Sequence, residues 1–97
     1  MRSVIYEWDE AKRERNRAKH GVDFTAAEDF DWSSALDFPD ERRSYGEKRR
    51  LAYGLVGHKL HALAYAPRGG AYRIVSFRKA NRREQAAYAA ATAGRRG

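Results

Sequence analysis

The sequence predicts a small α+β domain, a three-stranded antiparallel meander with short extra strands beside it, flanked by two N-terminal helices and one C-terminal helix. Three observations carry this. Strand-like runs at Arg49 to Val56, Lys59 to Ala66 and Ala71 to Arg78 are separated only by Gly57-His58 and Pro67-Arg68-Gly69-Gly70, turn signals short enough for hairpins. On either side of that block, Asp9 and Asn81 each open a stretch free of Pro and Gly with the chemistry of a helix cap. Finally, 97 residues with 42% hydrophobic content supply one packed core and not two.

Taken in order, Ser3 to Trp8 reads as a short edge strand or an extended lead-in packed on the core. Asp9 caps a first helix whose body, Ala11 to His20, runs to Gly21, and its interior is dominated by Lys12, Arg13, Arg15, Arg17 and Lys19. A second short helix follows, capped by Asp23 or Thr25 and reaching Phe30, with Thr25 and Glu28 spaced for a capping box. Phe24, Ala27 and Phe30 recur there at three-residue steps, an apolar stripe to lay on a sheet. Ala35, Leu36 and Phe38 fit a short strand, and the loop from Asp40 to Lys48 is expected to be mobile. In the meander, Leu51, Tyr53 and Leu55 share one face, while Tyr72 and Ile74 alternate with Arg73, Val75 and Phe77. Asn81 and Glu84 form a capping box for an alanine-rich helix, Gln85 to Ala93, stopped by Gly94, and Arg95-Arg96-Gly97 is expected to fray.

Twenty Lys and Arg against thirteen Asp and Glu give a net charge of +7, so a polyanion is the leading class of partner. The excess is weighted to arginine, whose planar fork suits bidentate contact with phosphate. The absence of cysteine excludes disulfides, thiolate zinc sites and cysteine nucleophiles together. No apolar stretch approaches the roughly 18 residues of a membrane span, and Met1 to Asp9 lacks the apolar core of a secretion signal, so a cytoplasmic protein is expected.

Four separated blocks bear a more specific likeness: Glu7 to Lys12 with Asn16, Lys19 to Phe24, Gly46 to Arg49, and Arg73 to Ala80. In this order they resemble the BrnT family, toxins of type II toxin–antitoxin systems, over Tyr6 to Tyr88. The resemblance implies a RelE-like fold, and an endoribonuclease that arrests translation and growth until a BrnA-type antitoxin binds, in a heterotetramer or similar complex. It implies contact with DNA only indirectly, through the antitoxin, and no membrane partner. The chain departs from the family pattern at Phe77, where Ala is usual, and at Ala62, Ala64 and Ala66, where larger aliphatics are common.

RNA is cut without a metal when its own 2′-hydroxyl attacks the adjacent phosphorus, which calls for proton-transfer groups and positive charge. His20 titrates near neutrality and Lys19 beside it attracts phosphate, although a His in a last helical turn also serves the helix dipole. Arg78 and Lys79 leave opposite faces at a strand end, so one of them lines a site; the resemblance favours Arg78. The catalytic candidates are therefore His20, Arg49 and Arg78, with Lys19, Arg73, Lys79, Arg42, Glu41 and Trp8 as candidates for holding RNA. Glu41 and Arg42 read sooner as a solvated charge cluster, and Trp8 sooner as core; Tyr45 and Tyr65 are further candidates for stacking on bases. His58 and His61 lack the spacing and carboxylates of a metal site, and neither metal nor cofactor is expected. The alternative function is a non-catalytic basic module that grips nucleic acid through the same arginines.

Overall fold

Two tight hairpins organise the middle of the chain, and the remaining elements are laid against the sheet that they create. The computed structural model describes residues 4–93. In order they form β1 (Ile5–Glu7), α1 (Glu10–His20), two 3-10 segments (Phe24–Asp29 and Trp32–Ser34), β2 (Leu36–Pro39), β3 (Arg50–Val56), β4 (Lys59–Arg68), β5 (Ala71–Lys79) and α2 (Arg82–Thr92). The five strands make one sheet in the order β1-β5-β4-β3-β2. All neighbours are antiparallel except β1 and β5, which pair in parallel.

The meander is therefore the centre of a mixed sheet. β4 runs on through Pro67 and Arg68, so the second hairpin turns on Gly69 and Gly70 alone, at φ 51° and 90°. Its register gives the sheet two unlike faces. Ala52 lies opposite Leu63 and Leu63 opposite Phe77, and this row faces the core. Tyr53, Ala62 and Arg78 form the next row, on the other face, which we call the open face. Simple alternation fails in β5: Ser76 pairs with Ala64 but Ile74 with Tyr65, so a bulge at Val75 brings Ile74 and Phe77 to the same side. Both are fully buried.

On the core face the first 3-10 segment brings down Phe24, Ala27 and Phe30, all buried. The expected short helix is a 3-10 helix because side chains three apart eclipse only at three residues per turn, which aligns these three apolar groups. The Thr25–Glu28 box does not form; Asp23 is the cap, accepting from the Thr25 N–H and hydroxyl while Arg13 grips its carboxylate at 2.9 and 3.0 Å. Phe30 lies flat on the β3 backbone, where a Cβ on Gly54 would stand 2.6 Å from the ring. Around it Trp32 meets Phe30, Tyr65 and Tyr72 edge to face at 4.8–5.4 Å and donates to the Tyr6 hydroxyl.

α1 lies along the β5 edge just beyond the reach of β1. Its Asn16 is buried: the amide oxygen accepts from the Phe77 N–H at 3.1 Å, and the amide nitrogen donates to the carbonyls of Phe77 and Val22 at 2.7 and 3.0 Å. Gly21, at φ 72°, ends the helix as expected. α2 opens with the Asn81–Glu84 capping box and is tied back by the Tyr88 hydroxyl on the Ser34 carbonyl. Ser3, the stop at Gly94 and the tail 95–97 lie outside the described residues.

Asn16→Ala leaves three buried backbone groups without partners, and urea denaturation is expected to show a loss of about 3 kcal/mol. Gly54→Ala pushes Phe30 off the sheet and is expected to cost about 1–3 kcal/mol in the same measurement.

Candidate functional site

The packing of α1 on β5 decides which of its many cations share a surface with the sheet. Lys12, Asn16 and His20 are spaced by four residues and lie on one stripe of the helix, with Arg15 and Lys19 on the adjoining stripe. Because Asn16 is fixed to Phe77, that side faces β5, and Lys12, Arg15, Lys19 and His20 line a groove with Val75 and Ser76. At the N-terminal end of α1 the Asp9 carboxyl is held low chiefly by the Lys12 and Ala11 N–H groups, with smaller contributions from the charges of Arg15 and Arg73.

His20 lies at the other end, where the charge of Arg78 on the open face reaches it. His20 is the last residue of α1; partial burial, then the charges of Lys19 and Arg78, push its imidazole below its ordinary 6.5. Both effects favour its neutral form. Arg78 is clasped by Glu84 in a two-bond fork, Nη1 to Oε1 and Nη2 to Oε2, each 2.8 Å. The same carboxylate accepts from the Asn81 N–H and from the Tyr53 hydroxyl at 3.2 Å. Arg78 above all, with these donors, holds the Glu84 carboxyl down to about 2, whereas burial and then Glu84 raise the Tyr53 hydroxyl. Glu84 in turn raises Arg78. A cation is thus held in a fixed orientation on the open face.

The candidates named from the sequence divide between surfaces. His20 and Lys19 line the groove, whereas Arg78 and Arg73 stand on the open face of β5. Lys79 is opposite His61 on the other face, separated from Arg78 by strand alternation. Arg49 precedes β3, four residues from Tyr53 and about 13 Å along the strand from Arg78's row; its guanidinium lies 4.2 Å from the Tyr45 ring centroid and bonds Glu47. Arg42 is held by the buried Asp40 carboxylate, on the loop that precedes β3. Glu41 is exposed on that loop. Trp8 packs edge-on to Phe24 at 6.1 Å and bonds Glu10, the core role weighed for it, and Tyr65 is buried with its hydroxyl on Asp37, so it is not available to a base. His61 is turned onto Phe77 and the Lys59 carbonyl. Among the described residues no three of His, Cys, Asp and Glu could hold a metal ion, and no helix is long and apolar enough to cross a membrane.

Sequence reasoning missed Tyr53, Lys12 and Arg15 as members of this surface, and Asn16 as its anchor. Glu84 was legible as a cap but not as the partner of Arg78.

The family model for ribonuclease toxins, BrnT, of type II toxin–antitoxin systems matches residues 8–84, spanning α1, the whole sheet beyond β1 and the Arg78–Glu84 pair. The chain belongs to the BrnT family. Membership makes it a ribonuclease toxin with an antitoxin partner. No curated protein matches it. Its departures from the BrnT pattern have a structural account: Phe77 fills the core, and Ala62, Ala64 and Ala66 form the low floor of the open face between Arg78, Ser76 and Arg73 on β5 and Tyr53 and Leu51 on β3.

Because the folded Glu84 carboxyl ionises near 2 rather than at its ordinary 4.5, its contribution to stability is complete above 4.5 and is lost as the pH falls towards 2. Denaturation midpoints from pH 6 to 2 are expected to fall less steeply in Glu84→Gln than in the wild type.

Proposed function

We propose that this chain is a metal-independent endoribonuclease toxin that cuts single-stranded RNA on the surface between α1 and the open face. The observation that carries the reading is an imidazole, His20, lining a groove with Lys12, Arg15 and Lys19 and lowered in part by the charge of Arg78, a guanidinium braced by Glu84 on the adjoining open face. His20 takes the proton of a ribose 2′-hydroxyl, whose oxygen attacks the adjacent phosphorus. The P–O5′ bond breaks, leaving a 2′,3′-cyclic phosphate and a 5′-oxygen that takes a proton from solvent. Glu84 occupies the end of the Arg78 fork, which leaves the Nε edge and the face of the guanidinium to meet the phosphorane charge. Tyr53 and Glu84 position Arg78, while Lys12, Arg15, Lys19 and Arg73 hold flanking phosphates.

We read the open sheet face beside a helix as RelE-like, and we place the activity in the cytoplasm, on RNAs of translation. The antitoxin is of BrnA type, binds as a heterotetramer and covers the +7 surface with acidic groups. DNA is contacted through that antitoxin rather than by this chain.

Purified protein incubated in EDTA with a long unstructured RNA is expected to leave 2′,3′-cyclic phosphate ends. Arg78→Ala is expected to slow cleavage by about 10²–10³-fold, as for loss of one transition-state donor. His20→Gln is expected to lose about 10²-fold or more. It is also expected to remove the rise in rate as the pH passes through the His20 value below 6.5. Salt-sensitive binding without cutting identifies the non-catalytic module instead.

A further inference from the structure

At the far end of the open face from Arg78, the β2–β3 loop is built around a charge that the core does not need. The Asp40 carboxylate, only 2% exposed, accepts from Arg42 Nε and Nη2 at 2.8 Å, from the Arg42 N–H and from the Tyr45 hydroxyl, while its own N–H closes the loop on the Arg49 carbonyl at 2.8 Å. Its carboxyl is held low, chiefly by Arg42. This buried anchor fixes a partly exposed Tyr45 ring with the Arg49 guanidinium stacked on it. Tyr45 is not part of the hydrophobic cluster, so its ring is not held there for packing. The pair stands in a cleft of about 930 Å³ with Arg43 and Lys48, neither of which has an ion-pair partner among the described residues.

We propose that Tyr45 and Arg49 form a base-stacking subsite for an unpaired nucleotide of the RNA, at the opposite end of the open face from the phosphate at Arg78, with Arg43 and Lys48 on the neighbouring phosphates. This rests on the ribonuclease reading above and extends it from the cut bond to how the strand is held. A planar cation stacked on an aromatic ring offers a third π system a flat surface that tolerates any base. A duplex cannot present an unstacked base to it, so the subsite confers a preference for single strands.

The test uses the full chain and a 2′-O-methyl RNA oligonucleotide, which cannot be cut, carrying 5-iodouridine at successive positions. Irradiation of the wild-type complex is expected to cross-link Tyr45 from one narrow set of positions, located by mass spectrometry of the peptides. Tyr45→Leu is expected to bind the same oligonucleotide about 5- to 100-fold more weakly. Cross-links at Tyr53 or Tyr88 with none at Tyr45, or equal affinities for the two proteins, overturn the proposal. The cross-link is read on the wild type, so it stands even where Tyr45→Leu folds poorly. Failure of the wild type to cut the all-ribose version of the RNA counts against the ribonuclease reading, and the cross-link alone then decides the subsite.

Discussion

The amide of Asn16 supplies what the edge of β5 lacks. β1 is three residues long and pairs only as far as Arg73, so the Phe77 N–H and C=O further along face the helix rather than a strand. Left unpaired in the interior, each would cost about 1–3 kcal/mol. Asn16 meets both, as a neighbouring strand would, and adds the Val22 carbonyl that leads into the first 3-10 segment. Helix, sheet edge and following turn are thereby fixed by one side chain. Because residues four apart share a helix stripe, fixing Asn16 also fixes Lys12 one turn before it and His20 one turn after it. Arg13 on Asp23 prevents the helix from rolling about that contact.

The two faces of the sheet divide the labour that follows. On the core face, large groups interlock: Phe30 on Gly54, Trp32 among three aromatic rings, and Phe77 under Asn16. The open face is low along β4, where Ala62, Ala64 and Ala66 leave room between longer side chains on the flanking strands. Arg78 is kept upright there by Glu84, which ties the C-terminal helix to the site. α2 buries no residue fully, so its hold on the sheet face is polar: the Arg78 and Tyr53 contacts of Glu84, and Tyr88 on Ser34. The charge that positions Arg78 and the contacts that seat the helix are largely the same.

Local signals carried much of this into the sequence. Caps at Asp9 and Asn81, the stop at Gly21 and the Gly57-His58 turn depend on nearest neighbours and read correctly, whereas the second turn is confined to Gly69 and Gly70 because Pro67 and Arg68 pair within the sheet. The three-residue spacing of Phe24, Ala27 and Phe30 was visible, but its meaning as a 3-10 period was not taken. The parallel pairing of β1 with β5 joins residues 66 positions apart, and the Val75 bulge depends on how β4 passes it; neither leaves a local trace. Arg78 and Lys79 were legible as facing apart, whereas the distance from Arg49 to Arg78 follows only from register. Asn16 stood inside a family block with no role, since an asparagine's partners are backbone groups that any sequence provides.

The central claim is that Asn16 brings the α1 stripe and the open face of β5 into one RNA-binding surface. Chemical-shift mapping with a non-cleavable single-stranded RNA tests it most directly. The account predicts perturbations at Lys12, Arg15, Lys19, His20, Ser76 and Arg78, and quiet resonances at Lys79 and His61 on the other face. Perturbations centred on Lys79 and His61, with the groove unmoved, would contradict it.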